Sequence, residues 1–284
     1  MLEMARRRLF AVLLGATLAA LAAAGGLYLL AYAFQGSLVY FPTHEVRLSP
    51  HDVGLAYRDV ALLTKDGERL RAWAISPQVP DSPWILFSHG NGGNMSHRLD
   101  RAVALHRCGV GVLLYDYRGY GQSTGTPTEE GLTLDAEAVW QWLVREQGVP
   151  PRRLILMGES LGGGVTTALA TLHRPAGIIL ESTFTSAVEL GEEVYPWLPV
   201  RRLLRHRYPN RERLAGMDFP KLFMHSPDDD IIPYHHGRDL YQAAPEPKQW
   251  ADLVGGHNAG VAAQGPGYIK TVSDFVQRVT APPS

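Results

Sequence analysis

Ser160 stands in Gly158-Glu159-Ser160-Leu161-Gly162, a G-x-S-x-G pattern. It directly follows the apolar run Arg153–Met157 and directly precedes the small-residue run Leu161–Leu172. A strand-to-helix turn of this kind needs its glycines, because the chain bends sharply and the helix packs close to the strand. It presents a serine hydroxyl at the carboxyl end of a sheet, beside a helix N-terminus. The positive end of that helix and the amide of Leu161 then suit a developing oxyanion. A second glycine-rich segment, His89-Gly90-Asn91-Gly92-Gly93-Asn94, follows the apolar run Trp84–Ser88. It points to the amide of Asn91 as a second oxyanion donor. It does not read as a phosphate loop: no Gly-Lys-Ser/Thr closes it, and G-x-G-x-x-G is absent.

A serine needs a base to take its proton, and the base needs a carboxylate to orient it. For this turn type the chain order is serine, acid, histidine. Asp228, Asp229 and Asp230 follow the run Lys221–His225, and one of the three is the expected acid. A calcium loop fits poorly there, since no further carboxylates follow at loop spacing. The chain has 11 histidines, and His235 and His236 lie near a helix start. His257, in Val254-Gly255-Gly256-His257-Asn258, is the expected base. It alone follows a late strand with glycines that let a loop reach back over the sheet.

These residues need a scaffold, and the pattern after residue 38 supplies one. Apolar strand runs are predicted at Tyr57–Leu63, Glu68–Ser76, Trp84–Ser88, Gly111–Asp116, Arg153–Met157, Gly177–Glu181, Lys221–His225 and Lys248–Val254. The first two form a hairpin around Lys65-Asp66-Gly67. Helices are predicted at Arg98–Cys108, Leu134–Glu146, Leu161–Leu172, Gly237–Ala243 and Gly267–Val279. Repeated strand–helix units imply an α/β fold, a mostly parallel eight-stranded sheet with helices on both faces. The segment 183–218, rich in Pro, Tyr, Trp and Arg, breaks the rhythm and reads as a short irregular cap.

The first 34 residues differ in kind. Arg6, Arg7 and Arg8 precede Leu9–Phe34, which carries no charge and exceeds the roughly 20 residues that span a bilayer. The expected organisation is a basic cytoplasmic tail (1–8), a transmembrane anchor (9–34) and a catalytic domain (38–284) on the non-cytoplasmic side, the periplasm if the source is bacterial. A cleaved signal peptide ending near Ala22-Ala23-Ala24 is the rival; the length of the apolar run favours an uncleaved anchor.

Composition narrows the rest. The 284 residues are 45% hydrophobic and 19% charged, with 27 basic and 28 acidic side chains, which excludes wholesale disorder and a basic nucleic-acid footprint. A single cysteine, Cys108, excludes an intrachain disulfide and a multi-cysteine zinc site.

The His89–Asn94 segment, Tyr115-Asp116-Tyr117-Arg118-Gly119-Tyr120-Gly121, the elbow at Ser160, the loop Asp228–Pro233 and Gly256-His257 together resemble the α/β-hydrolase superfamily. More narrowly they resemble its membrane-anchored serine hydrolases, which include the eukaryotic depalmitoylating α/β-hydrolase-domain proteins and their bacterial relatives. The resemblance runs from about residue 38 to the C-terminus. It implies Asp229 as the acid, at the fifth position of an H-G-x-x-D-x-x-V-P pattern laid on His225–Pro233. Ser226 departs from that pattern where the family has Gly. The expected activity is hydrolysis of a carboxylic ester or thioester by Ser160, Asp229 and His257, with the amides of Asn91 and Leu161 as oxyanion donors. No metal or organic cofactor is expected. The expected partners are a small or lipid-like acyl substrate and, through the N-terminal helix, a membrane. A serine peptidase or an acyltransferase on the same triad is the alternative, followed by a catalytically silent tethered binding protein. A haloalkane dehalogenase is disfavoured, because that chemistry places Asp at the elbow.

Overall fold

A computed structural model describes residues 1–281. Its central sheet has eight strands: β1 (Arg58–Leu63), β2 (Arg69–Ile75), β3 (Trp84–Ser88), β4 (Gly111–Tyr115), β5 (Leu154–Glu159), β6 (Gly177–Glu181), β7 (Lys221–His225) and β8 (Lys248–Asp252). Their spatial order is β8-β7-β6-β5-β3-β4-β2-β1. The pairs from β8 through β4 are parallel; β2 runs antiparallel to both β4 and β1. Every residue of β3 to β7 is buried, which is why these strands read as continuous apolar runs rather than alternating ones. Alternate side chains feed two cores. Trp84, Leu86, Leu154 and Leu156 enter one, and Ile85, Phe87, Ile155 and Met157 enter the other.

The main helices are α1 (Leu2–Ala33), α2 (Leu99–Arg107), α3 (Glu129–Gln141), α4 (Leu161–Leu172), α5 (Ala187–Val194), α6 (Tyr234–Ala243) and α7 (Pro266–Thr280). Three regions differ from the sequence expectation, each for a local reason. The helix predicted from Leu134 begins at Glu129, because the Thr128 hydroxyl accepts from the amide of Gly131 at 2.9 Å and two glutamates fill the first turn. It relaxes into a π-turn over Trp142–Glu146. The helix predicted from Gly237 starts at Tyr234, directly after Pro233. The segment 183–218 is more ordered than an irregular excursion. It holds α5 and two short helices, Val200–Leu203 and Asn210–Leu214. Ser186 caps α5 through the amide of Glu189 at 3.0 Å, and Pro199 and Pro209 introduce the other two.

The α1 helix is continuous through the basic triplet and the apolar stretch. Its apolar window has a mean hydropathy of 2.0, and none of that window is buried. At 1.5 Å per residue it is about 48 Å long, more than the roughly 30 Å hydrocarbon core of a bilayer.

Candidate active site

The elbow is built from backbone constraints. Ser160 sits at φ 54°, ψ −117°, between the end of β5 and the start of α4. That conformation is costly for a side chain other than glycine, so its surroundings must hold it. Three hydrogen bonds do so. The Ser160 amide donates to Glu181 O at 2.9 Å; its carbonyl accepts from the Gly163 amide at 3.0 Å and from the Thr183 hydroxyl at 2.7 Å. Close packing completes the constraint. A Cβ on Gly158 would lie 2.2 Å from Gly162 O, and one on Gly162 would lie 1.9 Å from Ser88 O. Both glycines are therefore fixed by contact between strand and helix.

Leu161 opens α4, so its amide is among those without an intrahelical acceptor. Across the cleft, the Asn91 side chain is held at both ends. Its Nδ2 donates to Val39 O at 2.6 Å, and its Oδ1 accepts from the Tyr120 hydroxyl at 2.9 Å. What Asn91 has left to offer the site is its main chain. The Tyr115–Gly121 segment supports this loop from below. Tyr117 donates to His89 O at 2.7 Å, and the rings of Tyr117 and Tyr120 lie 4.3 and 5.3 Å from the His89 ring.

On the β7 side the three aspartates separate cleanly. The Asp229 side chain is fully buried, whereas Asp228 and Asp230 are exposed residues. His257 Nδ1 lies 2.8 and 3.0 Å from the two Asp229 oxygens. A carboxylate only accepts, so Nδ1 carries the proton and Nε2 is left free to accept one. Asp229 also accepts from the amides of Ile231 at 3.0 Å and Ile232 at 2.8 Å. Asp230 engages the main chain instead, its Oδ1 accepting from the His257 amide at 2.9 Å.

Sequence reasoning missed His225. This buried imidazole places Nε2 3.2 Å from Asp229 Oδ2 and 2.9 Å from Ile232 O. Both neighbours are acceptors, so Nε2 is the protonated nitrogen. Burial alone would raise the Asp229 pKa; hydrogen bonds from His225 and His257, with the Ile232 amide, hold it well below the usual carboxylate range. The signal is present in the sequence, since His225 opens the same H-x-x-x-D register that marks Asp229.

A second missed group lies under the elbow. Glu159 is buried beside Arg98 (3.2 Å) and Arg101 (3.9 Å). Burial opposes its charge, but the two guanidinium groups hold its pKa below the ordinary value. Arg101 also pairs with Glu181, and the Tyr268 hydroxyl of α7 donates to Glu181 at 2.7 Å and accepts from Arg101 at 3.1 Å. Side chains scattered between residues 98 and 268 carry no local spacing by which the sequence would reveal them.

The residues expected from the sequence converge on one cavity of about 740 Å³, whose wall includes Asn91, Ser160, Leu161 and His257. Asp229 lies behind His257. Ser160 and His257 share the wall without a hydrogen bond between their side chains, as is common before substrate binds. The opposite wall comes from the cap, through Val194, Tyr195, Val200 and Leu204. An unforeseen cluster, Glu193 with His235 and His236, ties α5 of the cap to α6 at 3.2 and 3.3 Å.

This architecture has counterparts among known proteins. A sequence profile of the α/β hydrolase fold matches residues 83–212. The uncharacterized protein Rv2307c of Mycobacterium tuberculosis is 43% identical over 83% of this chain and 84% of its own length. The uncharacterized membrane protein YNL320W of Saccharomyces cerevisiae is 34% identical over 86% and 89%. The α/β hydrolase domain-containing protein WAV2 of Arabidopsis thaliana is 31% identical over 75% and 76%. Among solved structures, the Pyrococcus furiosus esterase Pf2001 superposes with a TM-score of 0.69 at 19% identity, covering 84% of this chain and 98% of that one. Sheet order, strained elbow and sequence relatives agree, and the chain belongs to the α/β-hydrolase family.

Proposed function

We propose that the protein is a membrane-tethered serine hydrolase that cleaves carboxylic ester or thioester bonds. The observation that carries this reading is the buried Asp229–His257 pair, which leaves His257 Nε2 unprotonated in the cavity that also holds Ser160. His257 takes the Ser160 proton as Oγ bonds to the acyl carbon. The oxyanion is met by the amides of Leu161 and Asn91, and collapse expels an alcohol or thiol that leaves with the proton from His257. Water, deprotonated by the same imidazole, then releases the carboxylic acid and restores Ser160. The chemistry needs neither metal nor organic cofactor. An apolar cavity of this size suits an acyl chain, and esterases among structurally similar proteins are consistent with that choice.

The α1 helix is read as an uncleaved anchor, with Arg6–Arg8 in the cytoplasm and the hydrolase domain on the far side. A reporter fused after Ser284 should then be active only outside the cytoplasm, and the mature chain should begin at or near Met1. A mature terminus near Gly25 would establish cleavage instead.

The decisive test of the chemistry is Ser160→Ala. It should abolish fluorophosphonate labelling and reduce ester hydrolysis on the order of 10³-fold or more. Undiminished labelling would refute Ser160 as nucleophile.

A further inference from the structure

The cap carries a surface that the hydrolytic reading does not use. Between Tyr195 and Pro209 the sequence holds four arginines and no carboxylate. Arg201 is neutralised by Glu192, at 2.8 and 3.0 Å. Arg202, Arg205 and Arg207 are exposed and form no ion pair among the described residues. Beside them stand Trp197, 74% exposed, with Tyr195 and Leu198 exposed as well. Solvated aromatic and aliphatic side chains next to uncompensated arginines are the composition of a lipid–water interface, not of a free aqueous surface.

The position of this surface is set by α1. The Tyr28 hydroxyl donates to Arg202 O at 3.2 Å, and Gln35 Nε2 donates to Leu203 O at 3.4 Å. The Arg205 amide donates to Gln35 Oε1 at 2.7 Å, and its guanidinium lies 5.4 Å from the Tyr32 ring centre. The cap is therefore fastened to the last two turns of the helix and the residues just beyond it. From Tyr28 to Ala33 is about 7–8 Å of helix rise. A bilayer's headgroup layer is about 5–7 Å thick on each side. A helix that enters the hydrocarbon core near Leu9 and leaves it near Tyr28, about 28–30 Å later, thus carries Tyr28–Ala33 through the headgroup layer and puts Arg202 and Arg205 at the depth of the lipid phosphates.

We infer that this face of the cap, Trp197 and Leu198 with Arg202, Arg205 and Arg207, seats on anionic headgroups of the bilayer that holds α1. The inference rests on the membrane reading of α1 and names a source for the substrate. The same segment builds the cap side of the cavity through Val194, Tyr195 and Leu204. An acyl chain leaving the bilayer at this point meets the wall of the active-site cavity without crossing bulk water.

Tryptophan fluorescence gives a direct test, because Trp197 is the only exposed one among six. The full chain is reconstituted in phosphatidylcholine vesicles containing phosphatidylserine, with bromine atoms on the upper acyl chain. Parent emission should be quenched, and Trp197→Tyr should lose the quenchable component. Arg202→Gln with Arg207→Gln should weaken quenching. The pair should also slow hydrolysis of a bilayer-resident ester, by about five-fold per arginine removed, while sparing a short water-soluble ester. A chain that floats with the vesicles but keeps its full emission overturns the docking alone. A chain that fails to float overturns the anchor and the docking together. Fluorophosphonate labelling of Ser160 in the same samples reports on the hydrolase reading separately.

Discussion

Asp229 and Asp116 both lie buried against a histidine, and their surroundings push the two carboxyl groups in opposite directions. At the His257–Asp229 pair the contact is 2.8 Å, the carboxylate also accepts from His225 and two backbone amides, and its pKa is held far down. At the His89–Asp116 pair, where the His89–Asn94 loop begins, the closest approach is 3.6 Å and both side chains are buried. One amide, that of Met95, donates to Asp116 at 2.7 Å, and Asp116 Oδ2 has no hydrogen-bond partner among the described residues. Burial pushes Asp116 up to about 7 and His89 down to about 3. The residue types are the same, so the number of donors aimed at each carboxylate decides the direction in which it is pushed. Only the first has the anionic partner that the proposed mechanism asks of an imidazolium.

The largest test of this contrast is Asp229→Asn. An amide in that position cannot keep His257 in the needed tautomer, and the expected loss in kcat is on the order of 10³–10⁴-fold with substrate binding retained. Asp228→Asn should remain within a few-fold of the parent, as expected of an exposed charge. Asp230→Asn should do so too, since its amide oxygen can still accept from His257. A large loss at either neighbour with a mild one at 229 would transfer the role of the acid to that neighbour.

A middle-sized effect is expected at His225. Phenylalanine there keeps the ring and removes one charge-assisted hydrogen bond, worth about 1.5–3 kcal/mol, from Asp229. Ester turnover should fall about ten-fold with little change in KM. Acid stability should weaken with it. A depressed carboxylate pKa contributes stability above its unfolded value near 4 and loses it as pH falls, and His225→Phe makes that contribution smaller. A parent-like kcat would show that His257 and the two amides suffice.

The smallest effect belongs to the other pair. Because the folded pKa of Asp116 is raised, the native state holds a proton that the unfolded chain has already released between pH 4 and 7. Its contribution is therefore lost as pH rises through that window. Asp116→Asn keeps the acceptor for Met95 and removes the titration. Its Tm relative to the parent should climb from pH 4 to 7 and then level off, by about 2–4 °C for each kcal/mol. Activity at pH 7.5 should change within a few-fold. An unchanged difference across that range would mean that Asp116 ionises normally and that the contrast between the pairs is false.

The same pairs separate what is legible in the sequence from what is not. The elbow and the His257 loop are legible because strand, glycine and candidate catalytic side chain are contiguous. Asp229 stands out from its two neighbours only through a family pattern; composition cannot say which carboxyl of an Asp-Asp-Asp run is buried. Strand positions are legible because buried parallel strands are continuous apolar runs, as in Ile178–Leu180. Helix starts are less secure, since Thr128 and Pro233 exert their effect through caps and proline geometry rather than periodicity. The network of Glu159, Arg101, Glu181 and Tyr268 is invisible. Four residues from four elements meet only once the sheet has formed.

That network bears on how the molecule comes into being. Ser160 leaves the ribosome well before Tyr268, and chains are made from the N-terminus onward. Until α7 docks, Arg101 and Glu181 lack the hydroxyl that joins them, and the ground under the elbow is unfinished. His257 also arrives late. If the chain is threaded through a membrane as it is made, the proposed nucleophile emerges first and the activity last. On the proposed function, a partly exported chain is then harmless to acyl esters around it until almost the whole sequence has crossed.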